Sequence, residues 1–191
     1  MPDRRPPPLP SQRQNDPASA APALHQEFAD PRLPSLFDHW QAIRGTRIAP
    51  LGRDLELAAI PRLLPIIDLI EVLRAPLRFR HRLFGSELVA RNGRDVTGLE
   101  IDAALHGDAA TEIRATLATI VEQVRPYRRL ARQDWANRPW LSVEAIELPL
   151  VDETGAVVQI LRGVTYGIVQ PPLEQRLSFE PLLPPERPVR A

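Results

Sequence analysis

Cysteine is absent from the 191 residues. That excludes disulfides, thiolate nucleophiles, cysteine zinc sites and flavin–cysteine photochemistry. Lysine is absent too: all 24 basic residues are arginine, so Schiff-base and Walker-type chemistry have no residue to run on. An all-arginine set suits bidentate phosphate contacts, but these arginines are spread along the chain, as GC-rich codon usage would leave them. Twenty-four acidic residues balance them, so no global field draws the protein to nucleic acid or anionic lipid. Long apolar runs are missing as well. The longest, Leu63–Leu73, is broken by Pro65, Asp68 and Glu71 and is too short to cross a bilayer. Met1-Pro2-Asp3-Arg4-Arg5 runs on into prolines with no apolar stretch behind it, unlike a secretory signal. The expectation is a cytoplasmic protein with no membrane insertion, no nucleic-acid partner and no metal.

What is present is one core's worth of apolar residues (43%) and 22 prolines, unevenly placed. Pro6-Pro7-Pro8, Pro10, Pro17, Pro22 and Pro31 sit among Gln, Ala and Arg. Such a segment buries too little apolar surface to offset its ordering entropy, so residues 1–32 read as a disordered tail. Residues 170–191 form a second Pro-rich tail, although Leu173, Leu177, Phe179, Leu182 and Leu183 would let part of it dock. The domain is expected over residues 33–169.

Within it, Leu36, Trp40 and Ile43 fall at helical spacing between a capping Ser35 and a terminating Gly45. A short helical stretch over Leu57–Leu64 should stop before Pro65. The β-branched run Ile66–Leu73 suits a strand. Leu77, Phe79, His81 and Leu83 alternate with Arg78, Arg80 and Arg82, the strongest strand signal in the chain, closed by Gly85. Brief helices and loops fill Ser86–Gly107. A longer helix follows over Asp108–Val124, with Ile113, Leu117 and Ile120 on one face. Tyr127–Trp135, Leu141–Val151 and Ala156–Ile168 are three further strands, separated by turns at Asn137-Arg138-Pro139 and Asp152–Gly155.

Two strands, a run of helices ending in a long one, then three strands is the order of PAS domains. The chain resembles a proteobacterial family of stand-alone PAS proteins. The residues that carry the likeness are the Trp40 helix, Leu64-Pro65 to Glu71, Phe79-Arg80-His81-Arg82-Leu83-Phe84-Gly85, Asp95-Val96-Thr97-Gly98 and Glu147-Leu148-Pro149-Leu150. His81 departs from it, standing where that family would have Tyr. The resemblance implies an α+β fold: a five-stranded antiparallel sheet with helices on one face around a small pocket, preceded by an N-terminal helix. It also implies a sensory, signalling module that binds a small ligand or a partner protein and acts on an output in another protein. Fold analogy does not supply the ligand.

Periodicity places Phe79, His81, Ile113, Leu117, Ile146, Leu148 and Ile160 as pocket candidates. Haem and flavin both stay open as cofactors. His106, just before the long helix, is where haem-binding PAS sensors place an axial ligand, though a lone His is more often a capping residue. Flavin would call on Trp135 and Trp140, whose simpler task is to cover the sheet. His81 reads as a buried neutral imidazole with one partner; His25 and His39 have no visible partner. The Arg78, Arg80, Arg82 stripe reads as a solvated strand face rather than an anion site. Leu36, Phe37, Trp40 and Ile43 make an apolar area large enough to suggest a homodimer contact. Catalytic motifs are lacking, and the chain is expected not to be an enzyme. The rivals are a small α+β barrel enzyme of the ketosteroid-isomerase type, which needs a pocket Asp/His pair, and a pure dimerisation module. Against the enzyme, the long helix comes mid-chain and no Asp is evident on an inward strand position.

Overall fold

The structure, a computed structural model, describes residues 28–133, 138–167 and 177–183. Helix α1 (Arg32–Arg44) comes first, followed by 3-10 turns at Gly52–Asp54, Leu57–Ala59 and Leu64–Ile66. Strands β1 (Ile67–Leu73) and β2 (Arg78–Phe84) form a hairpin. Helices α2 (Ser86–Asn92), α3 (Ala103–His106) and α4 (Ala109–Gln123) lead to β3 (Tyr127–Gln133), β4 (Arg138–Val151), β5 (Val157–Gly167) and β6 (Leu177–Pro181). The strands form one sheet in the order β2-β1-β5-β4-β3-β6, every neighbouring pair antiparallel.

The α+β, PAS-like reading holds, with one strand more than the five expected. The sixth comes from the C-terminal segment expected as a tail. Its Phe179 ring stacks on Tyr127 at 4.1 Å between centroids, and it pairs with β3, covering an edge that would otherwise stand open. At the other end the described chain starts ahead of the expected boundary at Leu33. Phe28 is buried, and the Ala29 amide donates to Glu144. Residues 1–27, including His25, lie outside the described residues, as do Trp135 and the side chain of Trp140.

Several local expectations shift. Ser35 does not cap α1; its hydroxyl donates back to the Pro31 carbonyl, inside a helix that begins at Arg32. The stretch Leu57–Leu64 is not one helix: a 3-10 turn covers Leu57–Ala59, and a second, Leu64–Ile66, runs through Pro65 rather than stopping before it, with Pro65 in its first turn, where a missing N–H costs nothing. β4 begins at Arg138, inside the expected turn. Gly85 closes β2 as expected, for a reason of space: a Cβ there would lie 2.4 Å from the backbone oxygens of Leu64 and Pro65.

Both faces of the sheet are covered. Leu33, Leu36, Phe37 and Trp40 bury the inner side of α1 against β4 and β5, worth about 1.5–3 kcal/mol for each large side chain. A Cβ on Gly163 would meet Leu36, Leu33 and Ile146 at 2.8–3.2 Å. Ile146 therefore points at α1, and Leu148 shares that face by the two-residue period of a strand. The opposite face, under α2–α4, carries Val143, Ala145 and Glu147 from β4 opposite Tyr166, Val164 and Arg162 from β5.

Candidate functional site

A cavity of about 460 Å³ lies between that second face and the N-terminal half of α4. Its apolar wall includes Phe84, Leu88, Ile113, Ala131, Val143 and Val164. Leu88, Val143, Ala145 and Val164 form a small apolar cluster separate from the main core. The main core takes the rest of α4 through Leu117 and Ile120.

Between the two clusters lies a buried polar network on adjacent strands. Asp68 on β1 stands opposite Arg162 on β5, which stands opposite Glu147 on β4. Arg162 donates to Asp68 Oδ2 at 2.9 Å, and its Nε lies 3.2 Å from Glu147 Oε1. Arg129 on β3 donates through Nε to the same Glu147 oxygen at 3.1 Å. His81 Nδ1 meets Asp68 Oδ1 at 2.8 Å. A carboxylate only accepts, so His81 Nδ1 carries a proton towards Asp68 and the ring turns Nε2 towards the cavity. His106 Nε2 lies 3.3 Å from it.

All four charged groups are buried. Burial makes such charges expensive unless each has a partner, and here each has at least one. Burial pulls the Arg129 guanidinium below its ordinary value, against the pull of Glu147. Burial acts the same way on Arg162, but Glu147 and Asp68 outweigh it and hold that group above its usual value. The Tyr166 hydroxyl is pushed up by burial, so it stays protonated.

His106 is pushed down to about 4, first by burial and then by the fields of His81 and Arg162, with Asp68 and Asp102 opposing. Between about pH 4 and the ordinary value of 6.5 the unfolded chain therefore binds more protons at this residue than the folded one. Lowering the pH through that window is expected to destabilise the protein, and His106→Asn should remove part of that slope. Urea midpoints measured across the window for both proteins check it; identical slopes would show that His106 does not titrate in this way.

Of the pocket candidates, His81 and Ile113 line the cavity. Phe79, Leu117 and Ile160 lie in the main core, and Ile146 and Leu148 lie on the α1 face. Phe79, Leu117 and Ile160 share a face with cavity residues but sit one step along, in the main core; for Ile146 and Leu148 the reason is phase. β4 is buried on both sides from Ser142 onward, so its largest apolar residues mark the face under α1, and the cavity face carries Glu147. Leu36, Phe37 and Trp40, named as dimer contacts, are buried within their own chain, with Ile43 half-buried. That apolar face of α1 is covered by the chain's own sheet. Arg78 pairs with Glu100 and Arg80 with Glu71. His106 directs Nε2 at His81.

The sequence reading missed Asp68, Arg129, Glu147, Arg162 and Tyr166. A signal was there: Asp68 and Arg162 interrupt otherwise apolar, β-branched runs, and Glu147 sits between Ile146 and Leu148. A charge inside such a run is either a bulged, solvated position or a buried pair. Asp68 is an inward Asp of the kind the isomerase rival requires.

The described residues contain no helix long and apolar enough to cross a membrane and no group of three or more His or acidic residues arranged to hold a metal ion. Neither a curated protein nor a solved structure matches the chain. A family model described as PAS domain matches residues 29–165, from just ahead of α1 to near the end of β5. With the sheet order, the helical run between β2 and β3 and the cavity under α4 in agreement, the chain belongs to the PAS domain family, a class of sensory and signalling modules.

Proposed function

We propose that this PAS domain is a non-enzymatic sensor that binds a small molecule between α4 and the sheet and passes its occupancy on to a partner protein. The observation that carries this reading is the cavity itself. Its volume of about 460 Å³ falls within the usual span of small-molecule sites, and its lining joins apolar walls to convergent polar groups. α4 is the element that can report occupancy: one half is fixed in the core through Leu117 and Ile120, while the other presents Ile113 to the cavity. Pairing of two copies belongs to the same proposal, through surfaces other than the covered face of α1.

A second reading, proton-transfer catalysis of the ketosteroid-isomerase kind, is favoured by the Asp68–His81 pair. Two features weigh against it. Both Asp68 oxygens are taken, by His81 and Arg162, and His106 occupies His81 Nε2. Neither group is free to accept a proton from a substrate carbon.

Thermal-shift screening of the full chain against a small-molecule library tests the proposal. A ligand at about a hundred times its dissociation constant should raise the melting temperature by roughly 5–10 °C. Val164→Phe, which fills the cavity, should abolish that rise while the variant still unfolds cooperatively. Stabilisation that survives the substitution would place the ligand elsewhere.

A further inference from the structure

The floor and the mouth of the cavity differ in chemistry. At the floor, Arg129 uses Nε alone for its hydrogen bond, and Arg162 uses one terminal nitrogen. Arg162 Nε, close to Glu147 but poorly aimed at it, is buried with no hydrogen-bond partner. The remaining guanidinium N–H groups have no acceptor among the described residues, though both side chains are more than nine-tenths buried and both line the cavity. Tyr166 adds a hydroxyl at the same wall. The acceptors, by contrast, are spent or out of reach. Both Asp68 oxygens are used, and Glu147, one oxygen of which serves two arginines while the other is buried without a partner, does not line the cavity. The floor therefore offers donors, in the forked geometry that matches a carboxylate. At the mouth stand Asp108 and Glu112, both exposed, which would repel a second negative charge.

We propose that the cavity takes a small monocarboxylic acid, its carboxylate on the Arg129 and Arg162 guanidinium groups and the Tyr166 hydroxyl, its apolar tail against Leu88, Val143 and Val164. This rests on the cavity being a ligand site and adds the class of ligand. The floor already balances two guanidinium groups against two carboxylates. The attraction is therefore that of unspent, preorganised hydrogen-bond donors rather than of net positive charge, which is what discriminates an acid from its isosteric amide.

The test uses the full chain and matched probes: linear acids from propionate to octanoate, and phenylacetate, each against its primary amide. Methyl resonances of Ile113, Val143 and Val164 report entry into the cavity. Acids are expected to shift these methyls and to bind about tenfold or more tightly than their amides. Tyr166→Phe should weaken acid binding severalfold. Arg129→Gln alone strands part of the Glu147 charge, so it is paired with Glu147→Gln, and the double variant should bring the acids down to the level of the amides. Amides that match the acids throughout, or a preference that survives the double variant, would overturn the carboxylate assignment and leave the cavity as a ligand site. If no probe of either kind moved those methyls at about 10 mM, a concentration that reveals millimolar binding, both the assignment and the ligand site would fall.

Discussion

Asp68→Ala is expected to lower the free energy of unfolding by about 3–5 kcal/mol, the range found when one partner of a buried ion pair is removed. The size follows from what the change leaves behind. The Arg162 guanidinium would remain buried and lose its only well-aligned acceptor, while His81 would lose the carboxylate that orients its ring. Against a total stability of about 5–15 kcal/mol for a domain of this kind, the variant should sit near the edge of folding. Urea denaturation at neutral pH measures the loss. A cycle with Arg162→Gln isolates the coupling: the double variant should cost clearly less than the two single changes added together, because neither group is then stranded. A loss below about 1 kcal/mol would mean that Arg162 finds a substitute partner or water. The network would then be a binding surface rather than a structural clamp.

The same residues show where the sequence was legible and where it was not. β2 could be read directly: Phe79 and His81 point inward, and Arg78, Arg80 and Arg82 do not, because one face of that strand is wet and a period of two survives. α4 was legible for the mirror-image reason, its stripe of Leu117 and Ile120 facing a single core. β4 and β5 were not. With α1 on one side and α4 on the other, burial runs unbroken along β4 from Ser142 and along β5 from Ile160 to Thr165, and hydrophobic alternation no longer says which face holds the cavity. The phase was set by the larger apolar residues, Ile146 and Leu148, and these belong to α1. What marks the cavity face is charge, and each charge there is tolerable only because a residue distant in sequence meets it: Asp68 with Arg162, Glu147 with Arg129. A pair separated by 94 positions leaves no local pattern in one sequence. β6 escaped for a related reason, since the pairing that gives Phe179 its place on Tyr127 is not written in its own proline-rich surroundings.

Trp40→Ala should cost about 3–5 kcal/mol, the range for emptying a large aromatic from a core, and the cost should not depend on protein concentration. Trp40 is fully buried, its ring lies stacked with Phe37 at 5.9 Å, and its Nε1 donates to the Pro149 carbonyl at 2.9 Å. Every one of those interactions lies within one chain. If the ring instead anchored a contact between subunits, the wild-type unfolding midpoint would rise with concentration and the variant's would not, because association stabilises by mass action. Equilibrium unfolding at two concentrations about a hundredfold apart, on both proteins, separates the cases. Trp40→Phe refines the result. It keeps most of the buried area and removes the donor to Pro149, so its cost should fall to about 1–3 kcal/mol. A loss in Trp40→Ala that appears only at high concentration would move α1 out of the chain's own core and back to a subunit interface.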